Sequence, residues 1–113
     1  MKSKTLGNIG EQVATKYLQD KGYKIICNNF TNKIGEIDII CKRGDYTIFV
    51  EVKNRFTYQF GRPMFAVDKS KQHKIRMVAL AYMQKQKLLD DNVRFDVIEV
   101  NENEVINHIE NAF

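Results

Sequence analysis

Apolar residues recur along this chain first at helical spacing and then at strand spacing. From Asn8 to Lys21, residues Ile9, Val13, Ala14, Tyr17 and Leu18 fall on one side of a helix, with Gln12, Thr15, Lys16 and Gln19 largely opposite. Gly22 stands where a helix stop takes a left-handed residue, and Tyr23 is placed for the apolar contact that accompanies a Schellman turn. Glu11 lies at the border of the apolar arc and looks along the helix surface. The period then changes. Tyr23 to Cys27, Ile34 to Cys41 and Tyr46 to Lys53 read as strands, with turn residues at Asn28-Asn29 and Thr31-Asn32-Lys33 around Phe30. Lys42-Arg43-Gly44-Asp45 joins the second and third strands as a hairpin.

Residues Asn54 to Val67 have no period and read as a structured loop leaving the third strand. Asp68 then caps a helix running to about Lys87, with Ile75, Val78, Ala79, Tyr82 and Met83 as its core stripe. Val93 to Val100 is a fourth strand. Glu104 to Phe113 reads as a short tail helix with Val105, Ile106 and Ile109 facing inward. A helix between the third and fourth strands makes these two run parallel in an otherwise antiparallel sheet. The fold class is therefore α/β, a mixed sheet flanked by helices.

Composition adds little to that picture. The 113 residues, 43% apolar and 28% charged, suit one domain spanning 1–113, and one Pro with six Gly leaves no room for a long linker. Cys27 and Cys41 sit in apolar Ile-Ile-Cys runs without a metal-spaced partner, which predicts reduced thiols and a reducing compartment. No signal-peptide core or membrane-length run is visible, so the expected location is the cytoplasm and no membrane partner is expected. A net charge of +4 with a pI near 9.1 is compatible with a polyanionic partner.

The informative feature is acidic residues inside strands. Strand phase puts Glu36, Asp38 and Ile40 on one face of the second strand, and Phe49, Glu51 and Lys53 on one face of the third. An even-numbered hairpin loop pairs even residues with odd ones, which sets Asp38 opposite Phe49 or Glu51, on the same face either way. Two carboxylates so close repel, and a divalent cation relieves the repulsion. Mg²⁺ takes oxygen ligands from one or two carboxylates, keeps several waters and polarises phosphoryl oxygens. A neighbouring Lys neutralises developing charge. The same residues equally make a plain ion pair at a sheet end, with Lys53 bridging Glu51 or Asp38.

At these positions the chain resembles a known family. Gly7-x-x-Gly10-Glu11-x-x-Ala14-x-x-Tyr17-Leu18, Gly22-Tyr23, Gly35-Glu36-Ile37-Asp38-x-Ile40 and Phe49-Val50-Glu51-Val52-Lys53-x-Arg55 resemble the YraN-like family of small bacterial proteins. So do Phe60-Gly61, Arg94-Phe95-Asp96-Val97 and the ending His108-Ile109-x-Asn111-Ala112-Phe113. That family is similar in plan to the PD-(D/E)XK nuclease superfamily and its Holliday-junction resolvases. The resemblance implies a restriction-endonuclease-like αβββαβ core, here with a short C-terminal helix appended. It implies Asp38, Glu51 and Lys53 at the motif positions and Glu11 as the first-helix acid, so that Asp38, Glu51 and Glu11 would hold Mg²⁺ or, in its place, Mn²⁺. Ile37 stands where the motif's name has Pro.

The implied activity is metal-dependent hydrolysis of DNA phosphodiester bonds, on branched or single-stranded DNA; the alternative is a nucleic-acid-binding module of the same fold that does not cut. A third option is an interaction domain with incidental basic charge. Lys69, Lys71 and Lys74 at the start of the second helix, with Arg55, Gln59 and Arg62 after the third strand, form the expected nucleic-acid-facing set. A solvated helix face explains the lysines equally well, and Phe56, Phe60 and Phe65 equally pack a loop. A homodimer would present two sites to a symmetric junction. His73 and His108 read as structural or solvent-facing residues.

Overall fold

The computed structural model describes the backbone of residues 2–55 and 68–113, with side chains from residue 9 onward. Most of the loop expected over Asn54 to Val67 lies outside these described residues. The elements are α1 (Lys2–Asp20), β1 (Lys24–Thr31), β2 (Glu36–Arg43), β3 (Tyr46–Asn54), α2 (Lys69–Lys85), β4 (Asn92–Val100) and β5 (Val105–Ile109). They build one five-stranded sheet in the order β1-β2-β3-β4-β5. The β3–β4 pair is parallel, with α2 as its crossover, and the other pairs are antiparallel, as the α/β reading requires. No helix among the described residues is long and apolar enough to cross a membrane.

The two faces of the sheet carry separate cores. Ala14 and Leu18 of α1 pack on Ile39, Cys41, Ile48, Val50, Val52, Ile98 and Val100. Ile75, Val78, Ala79, Tyr82 and Met83 of α2, the stripe expected from the sequence, pack on Ile37, Ile40, Phe49 and Val97. The strands at the centre are thus apolar on both faces, which is what makes their acidic residues conspicuous. Cys41 is buried in the first core, where loss of solvation pushes its thiol up to about 12, while Cys27 is only half-buried.

Local chemistry sets the boundaries. At the end of α1, Gly22 adopts φ 94°, and the Gly22 and Tyr23 N–H groups return to the carbonyls of Gln19 and Leu18 at 3.0 and 2.9 Å, the two bonds of a Schellman stop. Asp68 caps α2 as expected, accepting from the Lys71 N–H at 2.8 Å. The hairpin is tighter than the four-residue loop expected: Arg43 pairs with Tyr46, leaving Gly44 (φ 61°) and Asp45 as a two-residue turn. Parity is unchanged, so the facing of Asp38 and Glu51 survives. In β1, pairing runs on through Asn28 and Asn29, where turn residues had suggested an end. Asn29 takes φ 56° in this edge strand, and Asn28 and Asn29 bond side chains of α1.

The expected C-terminal helix is a strand. Val105, Ile106 and Ile109 have helical spacing, but Asn101 overrides it: its side-chain carbonyl accepts the Asn103 and Glu104 N–H groups, both at 2.8 Å, and turns the chain back. Residues Val105–Ile109 then pair along β4. The return strand brings His108 and Asn111 to Asp96, a fully buried carboxylate on β4. Asp96 accepts two hydrogen bonds from Arg94 at 2.9 Å and one from the Asn111 N–H at 3.0 Å, and lies 2.8 Å from His108 Nε2. The other ring nitrogen of His108 is 2.9 Å from the Tyr17 hydroxyl of α1. A backbone pairing plus a neutralised buried acid outweighs the helical pattern of five residues.

Burial pushes the Asp96 carboxyl up, but the bonds from His108, Arg94 and Asn111 prevail and hold it below its ordinary range. Its contribution to stability is therefore present above the unfolded-chain value, about 3.9, and is lost as pH falls through the folded one. Asp96→Ala leaves Arg94 and His108 facing an apolar site, and the expected loss is about 3–5 kcal/mol, read as a lower urea midpoint at constant m-value. Asp96→Asn, which keeps an acceptor oxygen, should lose less. Unchanged midpoints in both variants would show that the network contributes nothing.

Candidate active site

The β2–β3 ladder runs from Arg43↔Tyr46 to Ile39↔Val50, and its next step sets Asp38 opposite Glu51. There the sheet opens. Ile37 and Ile40 pack on the α2 side while Ile39 and Cys41 pack on the α1 side, so the alternation of β2 breaks around Asp38. The Val52 N–H, beyond the last ladder pair, donates to Asp38 Oδ2 at 2.8 Å. A side chain thus replaces a backbone partner and is held rigidly at the fork of the two strands.

Burial pushes the Asp38 carboxyl up to about 7, and the neighbouring Glu51 and Glu11 charges add to this against the Val52 N–H. Glu51 so close by makes a second negative charge unfavourable, and Asp38 holds its proton more tightly than an ordinary carboxyl. Glu51 is 8% exposed. Its Oε2 receives two ammonium groups, Lys71 Nζ at 2.5 Å and Lys53 Nζ at 3.9 Å. Burial and the nearby Lys71 charge hold Lys53 below its ordinary range, Glu51 opposing them. For Lys71, partial burial pushes down but the bond and charge of Glu51 prevail and raise it.

Asp38, Glu51 and Lys71 line a cavity of about 480 Å³, with Gly35, Glu36, Asp68, Ser70, Lys74 and Ile75 as the rest of its wall. A Cβ on Gly35 would stand 3.2 Å from Lys74 Cδ, so the bare glycine lets the Lys74 stem lie across the cavity mouth. Glu11 stands apart from this wall. Its Oε1 accepts from Asn29 Nδ2 at 2.7 Å; burial raises its carboxyl and the Asn29 bond partly offsets this. Its charge reaches Asp38, yet among the described residues no three His, Cys, Asp or Glu side chains gather as a metal cluster. The structure thus unites Asp38, Glu51, Lys53 and Lys71 and leaves Glu11 at the edge. Gly10 brings α1 that close: an added Cβ there would meet Asn54 Oδ1 at 1.9 Å.

Lys69 and Lys74 are exposed on α2 as expected, whereas Lys71 turns inward onto Glu51. Arg55 is held at the far side by Glu99, with Nε 3.2 Å and an Nη 3.1 Å from Glu99 Oε2. Glu99 is 1% exposed and takes Asn107 on its other oxygen at 3.2 Å. The parallel register sets Lys53 beside Glu99. Sequence reasoning missed Glu99, although the signal was the one that found Asp38: an acid inside an apolar strand. Gln59 and Arg62 lie outside the described residues. His73 is exposed, and His108 serves the Asp96 network.

Comparison with known proteins places this geometry in a family. The uncharacterised protein family UPF0102 matches residues 10–100, which include Glu11, Asp38, Glu51, Lys53 and Lys71. A UPF0102 protein of Clostridioides difficile is 51% identical over 114 residues, covering all of both chains. One from Caldanaerobacter subterraneus is 47% identical, covering 97% of this chain and 95% of its own. A third, from Caldicellulosiruptor saccharolyticus, is 45% identical over the whole of both. With a match across most of its length and relatives of equal extent, the chain belongs to family UPF0102, the YraN-like group.

Proposed function

We propose that this protein is a divalent-metal-dependent endonuclease that hydrolyses DNA phosphodiester bonds. One observation carries the reading: Asp38 and Glu51 meet at the fork of β2 and β3, with the Val52 N–H on Asp38 and the ammonium groups of Lys71 and Lys53 beside Glu51. That arrangement fits a hard cation. The pair draws two lysines towards its charge, and both acids line a cavity wide enough for a hydrated ion. The motif order Gly35-Glu36-Ile37-Asp38 and Glu51-Val52-Lys53, similar to the PD-(D/E)XK pattern, supports the same reading.

Asp38 and Glu51 would hold Mg²⁺, with Mn²⁺ as a substitute, and the bound ion supplies polarisation of a phosphoryl oxygen and a more acidic water. Val52 fixes Asp38 through its N–H, so that carboxylate needs little reorganisation. Lys53, its ammonium destabilised by burial, sits where it can orient the attacking water or neutralise charge growing on the scissile phosphate. Glu11 would act from the edge of the site through water. Arg55, clamped by Glu99, and Lys69 and Lys74 on the α2 side would contact flanking phosphates.

The direct test is a panel of linear, single-stranded, flapped and four-way-junction DNA incubated with Mg²⁺ or Mn²⁺. Wild type should cut at least one substrate, and Glu51→Ala should lose cutting by a factor of about 10³ or more while keeping its circular dichroism spectrum. A wild-type protein that binds these DNAs but cuts none of them points to the binding module instead.

Asp38 also gives a metal-free prediction. Its folded value, about 7, lies above the unfolded one, so the folded chain holds the proton more tightly. Stability from this source is full below about 4 and is lost as pH rises through about 7. Without metal, the melting temperature should therefore fall between pH 5.5 and pH 8, and Asp38→Asn should flatten that decline. An equal decline in the variant would assign it to other groups.

A further inference from the structure

We propose that Lys71 is the displaceable counter-ion of this site: it occupies Glu51 while no divalent cation is bound, and turns to a nucleic-acid phosphate when one is. The inference rests on the metal-site reading above, and goes beyond it by coupling metal and substrate binding through one side chain.

The geometry carries it in three steps. Lys71 Nζ lies 2.5 Å from Glu51 Oε2, the oxygen that Lys53 also approaches at 3.9 Å. This oxygen holds one ammonium in contact and has a second nearby, so a dication at coordination distance from it would stand within a few ångström of both like charges and favour the departure of one. Exposure decides which one leaves. The Lys53 side chain is 19% exposed and rooted inside β3, whereas that of Lys71 is 47% exposed on the first turn of α2. The Lys71 N–H is tied to Asp68, so the backbone stays in place and only the flexible stem swings.

Its destination is the same cavity. Lys71 and Lys74 line the same cavity as Asp38 and Glu51, so an ammonium released from Glu51 need not leave it. A phosphate group entering there meets Lys71 only after Glu51 has given it up. Metal loading therefore strengthens phosphate binding, and phosphate binding strengthens metal loading by the same factor. In the metal-free protein the site is self-neutralised and grips polyanions weakly.

Calorimetric titration with Mn²⁺ alone tests the first half. Lys71→Met should bind Mn²⁺ about tenfold more tightly than wild type, equal to about 1.4 kcal/mol, and Lys71→Gln should follow it. Equal or weaker affinity in both variants, with native circular dichroism, overturns the proposal while leaving the metal site in place. No Mn²⁺ binding by wild type or by either variant overturns the metal-site reading and the proposal together. The second half uses a short single-stranded oligonucleotide without metal. Glu51→Gln, in which Lys71 is already free, should bind it several-fold more tightly than wild type. Adding Lys71→Met should cancel that gain and lower the slope of log affinity against log salt by about one. A gain that persists in the double variant overturns the phosphate role.

Discussion

Two carboxylates brought together where water is scarce need positive charge between them, and the Asp38–Glu51 pair imposes that requirement on everything around it. The two ammonium groups beside Glu51 and the Val52 N–H on Asp38 are separate answers to one electrostatic problem. None of these would be needed if Asp38 and Glu51 were Val or Ile, as their neighbours along the strands are. A chain selected for stability alone would replace the pair with apolar residues at no cost. The site is thus a local departure from good core building, positioned where β2 and β3 begin to separate.

The apolar scaffold tolerates the departure because it is strongest next to it. Nine residue pairs join β3 to β4, and both faces of these strands are covered, one by α1 and one by α2. Asp96 and Glu51 lie mid-way along that block, and Glu99 lies near its end. Each acid on the central strands has a dedicated partner on a neighbouring element: Asp96 takes Arg94, His108 and Asn111, and Glu99 takes Arg55 and Asn107. Asp38 and Glu51 differ because their nearest acidic neighbour is each other.

Strand phase made the central pair legible in the sequence, since period two places Asp38 and Glu51 on one face for any even-numbered hairpin loop, whether two residues or four. Helix α2 and its cap were legible for a similar reason, as Asp68 and the Ile75-to-Met83 stripe act within a few residues. The tail was not. The spacing of Val105, Ile106 and Ile109 is ambiguous over so short a run, and the deciding partners, Asn101 and Asp96, act through a turn and a buried charge that spacing does not encode. Lys71 belongs to the expected nucleic-acid-facing set, and helical spacing does not show which way so long a side chain points. Only the position of Glu51 in three dimensions shows that it turns inward. Glu11 matched the expected motif by position, but its bond to Asn29 depends on β1 continuing past its apparent end.

The Asp96 network has a consequence for where the chain can be cut short. Asp96 and Arg94 precede His108 and Asn111 in the chain, so a chain that keeps β4 but lacks β5 carries this acid with only part of its partner set. Burial of β4 is costly without those last partners, and Tyr17 of α1 bonds the same His108. A fragment ending near Asn103 therefore carries the central strands without the groups that settle their buried charge.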